Sequence, residues 1–459
     1  MGKYRTPKIV KGPPGPEVKK LIKEIDHSIE VPTLVRDVLK TEAWIPKKSN
    51  GVWIEDLDGN VFLDFSSFHS VLNIGRSHPK VVEACKQALN GIMVGFLEGT
   101  GKHLKLLKKL VEITPGNFDK QVYLGMSGSD ANEIAVKIAH WSTGRPYVMS
   151  FLGGYHGQTQ ISMELTAAGP GLIGSGVRKA YPPIPGIIHV PYPYCYRCPF
   201  KQNYPECDLQ CLKYIEDWVF QCYVPGDLIS AVVIEPIQGD AGNIVPPYGY
   251  LSGLKKLCEK YGILLIADEV QTGFGRTGKM FACEHWNIEP DIICLGKAIA
   301  SGMPMSAVVS RYEFPKVGKK LALHHVFTTM ANPICCAAAL ETIKIIQEEH
   351  LVENAAKVGE YMIKRLNEMK KHYRIIGDVR GQGLQIGVEI VKDKNTKEIG
   401  AEEVKSICKK AYKNGLALIS YGIYGNVLRI HPPLILAKEQ ADIGLDVIEK
   451  AISEVEREE

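Results

Sequence analysis

Three polar clusters sit at the ends of short apolar runs, and each can do chemistry. After QVYLG comes Met126-Ser127-Gly128-Ser129-Asp130-Ala131-Asn132-Glu133, which leads into the amphipathic stretch EIAVKIAHW. A Gly/Ser turn at a helix N-terminus offers backbone N–H groups and the positive end of the helix dipole. Such a turn is either a phosphate cradle or an ordinary helix cap. After ILLIA comes Asp268-Glu269-Val270-Gln271. A carboxylate that closes an apolar run is partly desolvated, so it needs a cationic partner or its pKa rises. A protonated pyridine nitrogen is one such partner. After IICLG comes Lys297. A free lysine has a pKa of about 10.4 and is a poor nucleophile near neutrality. Burial and nearby cations lower that pKa, as imine chemistry requires. Taken singly, such a lysine also reads as a surface side chain. Together the three fall in the order phosphate turn, buried acid, buried amine.

Two further patterns compete. Gly273-Phe274-Gly275-Arg276-Thr277-Gly278 fits G-x-G-x-x-G. In a dinucleotide fold that turn follows its strand directly and opens a helix. Here acidic Asp268 and Glu269 intervene and would repel a pyrophosphate, so a nicotinamide site is not expected. Four of the 12 cysteines, Cys195, Cys198, Cys207 and Cys211, form C-x2-C-x8-C-x3-C in a Pro/Tyr-rich excursion. That spacing suits a structural zinc loop, disulfides or free thiols. The other cysteines are scattered and read as small buried hydrophobes.

Positioning these groups takes a framework of alternating elements. The expected strands are 121–124, 146–151, 231–234, 263–267, 291–295 and 307–310, separated by stretches of helical period. Such alternation predicts a mostly parallel sheet covered by helices, with ligands at the carboxyl ends of the strands. Residues 51–65 (GVWIEDLDGNVFLDF) read as a hairpin around Leu57-Asp58-Gly59-Asn60. Gly12–Pro16 reads as a tether into a basic helix. From about residue 340, charged helices and the strands LQIGVEI and NVLRIH suggest a smaller α/β unit. The expected division is an N-terminal segment 1–75, a large domain 76–335 and a C-terminal small domain 336–459.

Composition narrows the function class. The chain has 459 residues, 45% of them hydrophobic, enough for two or three domains. Its 55 basic and 51 acidic residues interleave to a net charge of +4, which argues against a nucleic-acid or anionic-membrane partner. The basic N-terminus lacks an apolar signal core, so a cytoplasmic setting is expected. Lys/Glu-rich helices such as KLIKEID hint at a thermophile.

On the motifs LLIADEVQTGFGRTG, ICLGKAIASGMPMSAV, VVIEPIQGDAG, SGSDANE, YHG and LRIHPPL, the chain resembles the class III aminotransferases, from about residue 30 onward. The resemblance implies fold-type I architecture: a large domain with a mostly parallel seven-stranded sheet and a smaller α/β C-terminal domain, which the N-terminal segment 1–75 joins. It implies pyridoxal 5'-phosphate as cofactor, an amino-acid substrate, and a homodimer or dimer of dimers. It assigns Lys297 the imine and the Cα proton, and Asp268 the ring nitrogen. Tyr155 and Val270 flank the ring. Gln271 and Glu235 lie near it, and His156 belongs to the same cofactor set. Ser127, Gly128 and Ser129 cradle the phosphate, with Thr328 reaching from the partner subunit. Arg429 takes the substrate α-carboxylate.

Two departures matter. Thr328-Thr329-Met330-Ala331-Asn332-Pro333 lacks the family's paired glycines. Asp240 stands where many ω-aminotransferases of the family have glutamate, one methylene longer. The shorter side chain is expected to pair less readily with Arg429, leaving the arginine free. Asp240 is then expected to lie across the cofactor from Lys297, as a two-base racemase needs. The chain thus resembles the family's amino-acid racemases and epimerases; the alternative is an ω-aminotransferase acting on 4-aminobutyrate or ornithine with 2-oxoglutarate. Phe68 and His69 are expected to line the substrate side, with His69 either bonding a polar side chain or serving structure.

Overall fold

The computed structural model describes residues 4–28, 45–91, 101–169, 183–314 and 325–458. Near the N-terminus, β1 (Pro46–Asn50), β2 (Trp53–Asp56) and β3 (Val61–Asp64) form an antiparallel meander. The expected hairpin is thus present. Its turn is tied by the Asp56 carboxylate, which accepts from the backbone N–H groups of Asp58 and Asn60. The Asp58 carboxylate in turn accepts from Glu17 and Val18 N–H, capping the helix Pro16–Ser28. The expected tether is therefore pinned at its end.

The central sheet comprises β4 (Lys120–Gly125), β5 (Tyr147–Phe151), β6 (Ile187–Val190), β7 (Ile229–Ile234), β8 (Leu264–Asp268), β9 (Ile292–Leu295) and β10 (Ser306–Arg311). Its seven strands run in the order β4-β10-β9-β8-β7-β5-β6; β10 is antiparallel to both of its neighbours, and every other pair from β9 to β6 is parallel. Every residue of β7 and β9 is buried, as expected for strands covered on both faces. The two-residue period divides them: Ala231 and Val233 meet Ala131, Ile134, Ala135 and Ile138 of the helix Gly128–Thr143, whereas Val232 and Ile234 join the larger core on the other face. This is the fold-type I architecture.

The C-terminal part adds β11 (Ile376–Gln382), β12 (Gln385–Ile390), β13 (Leu416–Ala417), β14 (Ile419–Tyr421) and β15 (Val427–Ile430). Four of them form an antiparallel sheet in the order β11-β12-β15-β14, while β13 pairs in parallel with β3. Long helices Leu351–His372, Ala401–Lys413 and Lys438–Glu458 accompany this sheet.

A buried charge cluster fastens this sheet to the cysteine-rich excursion. Glu389 on β12 is fully buried. It accepts from Arg380 Nη1 at 2.7 Å, Arg197 Nε at 2.5 Å, Asn426 Nδ2 at 3.3 Å and the Tyr194 hydroxyl. Burial opposes its charge, but Arg380, Tyr194 and Arg197 outweigh this and hold its pKa below the ordinary value. Glu389→Ala removes the carboxylate that two guanidinium groups share, leaving Arg380 with Asp378 and Arg197 with the Lys397 carbonyl. We expect it to cost about 3–5 kcal/mol, read as a lower denaturant midpoint.

Candidate active site

The predicted clusters do converge at strand ends. Asp268 closes β8 and is 3% exposed. Its Oδ2 accepts from Asn132 Nδ2 at 2.9 Å and lies 2.7 Å from His156 Nδ1; its Oδ1 accepts from Val270 N–H at 3.0 Å. A carboxylate has about four acceptor positions, so one remains for a further cation. Burial disfavours a charged His156, yet the hydrogen bond to Asp268 prevails and raises its pKa. Asn132 also donates to the carbonyls of Gly128 and His156. It thereby locks the turn after β4 to the acid after β8.

That turn is shaped by close approach. Ser127 caps the helix Gly128–Thr143, its hydroxyl accepting from Asp130 N–H at 3.3 Å. A Cβ on Gly128 would lie 2.7 Å from a Val270 methyl, so only glycine lets the turn settle on Val270. Ser129 Oγ accepts from Gln158 N–H at 3.1 Å, bringing the Tyr155-His156-Gly157 loop alongside.

Lys297 follows β9 with φ +40, a sparsely populated conformation for a residue with a side chain. It keeps some exposed surface, but burial lowers its amine pKa. Asp240 and Asp268 oppose that shift and Arg429 adds to it, so all four groups share one electrostatic environment. Glu235, at the end of β7, accepts from Tyr155 N–H and Gly239 N–H, each at 2.9 Å. Burial pushes its pKa up to about 7. Gln271 is buried, and its amide oxygen has no partner.

The substrate end corrects one expectation. Arg429 is not free: its Nη1 lies 3.3 Å from Asp240 Oδ1. The backbone makes up for the missing methylene, because the Asp240 carbonyl accepts from Gly422 N–H and the Gly242 carbonyl from Arg380 Nε. These bonds draw the loop onto the C-terminal sheet. Tyr421, which the sequence did not single out, stacks on Arg429 with its ring centre 4.2 Å from the guanidinium carbon. Its hydroxyl lies 2.9 Å from His69 Nδ1. Burial, with Arg429 and Lys297 adding to it, lowers the His69 pKa to about 4, so this imidazole is neutral at ordinary pH. Ser67, Phe68, His69 and Ser70 all have positive φ, and Phe68 is 61% exposed.

A family model for class III aminotransferases matches residues 36–452. The chain belongs to the class III aminotransferase family. It is 44% identical to an alanine/serine racemase of Pyrococcus horikoshii, over 98% of this chain and 93% of that protein. It is 42% identical to a leucine/methionine racemase of Thermococcus litoralis, over 90% of each. A solved Bacillus anthracis aminotransferase superposes with a TM-score of 0.85 at 30% identity, covering 95% of this chain and 99% of that one. As a class III protein it is a pyridoxal-phosphate-dependent racemase or aminotransferase. The pocket fits that cofactor. Asp268 keeps an acceptor position, Gln271 an unpartnered amide oxygen, and the Ser127–Ser129 turn leaves no room for a Cβ at Gly128.

Thr328 is exposed. The G-x-G-x-x-G stretch is structural: Arg276 is fully buried and donates to the carbonyls of Leu384 and Pro432 and to Asn73 Oδ1. Cys195, Cys198, Cys207 and Cys211 line one small cavity as free thiols. Among the described residues, no group of three His, Cys, Asp or Glu side chains is arranged to hold a metal ion. No helix among them is long and apolar enough to cross a membrane.

Proposed function

We propose that this enzyme racemises free α-amino acids by moving the Cα proton between Lys297 and Asp240. One observation carries the reading: Arg429 holds the Asp240 carboxylate at 3.3 Å, and the charges of both act on the buried Lys297 amine. The family's racemases, at 44% and 42% identity, support it.

In this reading Asp268, backed by His156, holds the cofactor ring nitrogen, Tyr155 and Val270 flank the ring, and Gln271 and Glu235 lie beside it. Ser127, Gly128 and Ser129 bind the phosphate, with Thr328 reaching from a second copy in a homodimer or dimer of dimers. The bound cofactor supplies an electron sink for the Cα carbanion. The protein supplies the protons. An arriving α-carboxylate takes the Arg429 guanidinium, which it binds better than a single 3.3 Å contact does, and releases Asp240. Neutral Lys297 removes the Cα proton from one face, and protonated Asp240 delivers one to the other. The product has the opposite hand, and the reverse reaction uses the same groups in swapped states. Asp240 is 19% exposed, so it can exchange its proton with solvent. Phe68 and His69 face the substrate side chain.

The Asp240–Arg429 pair itself favours a second reading, an ω-aminotransferase, because a substrate without an α-carboxylate leaves that pair intact. One experiment separates the two. Incubated with L-alanine, L-serine or L-leucine and no keto acid, the enzyme yields the D-isomer by chiral chromatography. No D-isomer from any of them, together with efficient transfer from 4-aminobutyrate or ornithine to 2-oxoglutarate, sinks the racemase reading.

A further inference from the structure

Arg429 is aimed from behind by a chain of buried hydrogen bonds that the proton-transfer scheme leaves unused. Its Nε donates to His431 Nδ1 at 3.3 Å, and Ser70 Oγ lies 2.8 Å from the same nitrogen. The opposite ring nitrogen, Nε2, lies 2.9 Å from Asn243 Oδ1. Asn243 cannot turn its amide round, because its Nδ2 donates to the Ile386 carbonyl at 2.7 Å. An amide oxygen only accepts, so His431 Nε2 carries the ring hydrogen and Nδ1 is left bare. Asn243 and His431 are fully buried and Arg429 is 1% exposed. Burial, together with Arg429, Arg276, Lys297 and His69, holds the His431 pKa well below its ordinary value, so the ring is neutral.

The guanidinium is therefore fixed on most sides. His431 takes Nε, Asp240 meets Nη1, and Tyr421 covers one face. Nη2 is buried with no partner. An unpaired buried donor is costly, so this nitrogen points to a ligand oxygen. Asn243 also lies on the same tight turn as Asp240, closed by Gly242 and Asn243 N–H groups on the Gly239 carbonyl. One turn thus holds Arg429 from behind and meets it in front.

We propose that Asn243 and His431 are positioning residues for the substrate carboxylate. Asn243 sets the tautomer of His431, and the bare nitrogen of His431 orients Arg429 so that its Nη edge faces the ligand. This inference rests on the reading of Arg429 as the α-carboxylate site.

The test is the affinity of the holoenzyme for 2-methylpropanoate, a carboxylate without an amine, measured by calorimetry. His431→Gln moves the polar atoms to the Nε2 position and loses the acceptor for Arg429; we expect the Kd to rise about tenfold. His431→Asn places an amide oxygen at the Nδ1 position; we expect the Kd to stay within about threefold of the parent. The cofactor's absorbance change with 1-aminobutane, which lacks a carboxylate, stays unchanged in both. Equal weakening in both variants, or in neither, overturns the proposal. Arg429→Gln separates the failures: if it too leaves the Kd unchanged, the carboxylate reading of Arg429 falls first.

Asn243→Asp gives an independent readout should His431→Gln fail to fold. A carboxylate against Nε2 favours the protonated ring, whose Nδ1–H then opposes the Arg429 Nε–H. The cationic groups facing the ring, Arg429, Arg276 and Lys297, and the neighbouring His69 do not change. Carboxylate binding by this variant weakens more steeply than the parent's as pH falls from about 8 to 6. A variant profile parallel to the parent's overturns the role of His431 in orienting Arg429.

Discussion

Lys297→Ala lowers Cα proton exchange by at least about a thousandfold, measured as deuterium incorporation into an L-amino acid in heavy water. The residue combines two requirements that oppose each other elsewhere on the chain. A proton acceptor must be neutral part of the time, and burial lowers the Lys297 pKa toward that condition. It must also lie within reach of the reacting carbon, and the chain accepts positive φ at this residue to present it there. Lys297→Arg sharpens the test. It preserves charge and length, but a guanidinium does not give up its proton in this pH range. Arginine is therefore expected to be as inactive as alanine, and small exogenous amines are expected to restore part of the alanine variant's activity but none of the arginine variant's. A variant retaining more than about a tenth of parental exchange removes Lys297 from the proton path.

The sequence revealed these groups because their setting is extreme. In β7, β8 and β9 almost every position is buried, so each strand reads as an unbroken apolar run, and the charged residue that ends it stands out. Asp268 and Lys297 were legible for that reason, whereas Glu235 entered through the family resemblance alone. The strand β6 was not: it is four residues long, contains His189 and alternates in burial at the sheet edge. Nor was β11, whose Asp378 and Arg380 read as solvent-facing until Glu389 supplies the partner across the ladder.

The substrate end was the least legible part. The left-handed turn Ser67–Ser70 contains no glycine or asparagine, so rules for positive φ give no warning of it. It is held instead by distant partners: Asp64 accepts from Ser66 and Ser67 N–H, Arg276 donates to Ser67, and Ser70 meets His431. Tyr421 and Asn243 lie in segments without clear periodicity. His431 left one usable trace, a second polar residue two positions after Arg429, on the same side of an extended chain. The misjudged Asp240–Arg429 pair has the same origin. Side-chain length was counted from sequence, whereas the bonds that the Gly422 N–H and the Arg380 side chain make to the loop's carbonyls are long-range.

Asp240→Asn separates the two reactions that this site can support. Asparagine keeps the shape of aspartate and still offers an oxygen to Arg429 Nη1, so the loop has little reason to move. What it loses is the capacity to carry a proton between solvent and Cα. If Asp240 is the second base, racemisation falls by about 10²- to 10⁴-fold, the usual contribution of a positioned acid or base. Removal of the Cα proton from the L-isomer by Lys297 persists, seen as deuterium entering with retained configuration and as keto acid formed in a single turnover. The asymmetry between the two readouts is the informative quantity. Loss of both in equal measure assigns Asp240 to substrate binding through Arg429. Survival of both leaves the second face of Cα without an identified acid, and the racemase reading then has to find one among Tyr155, Tyr421 and His69. Tyr155 and Tyr421 are handicapped, because burial raises both hydroxyl pKa values. His69, with its pKa lowered to about 4, is neutral and gives up a proton only reluctantly near pH 7. Asp240 is the carboxylate that Arg429 holds in the free enzyme and that an incoming substrate carboxylate displaces, and that makes it the residue to change first.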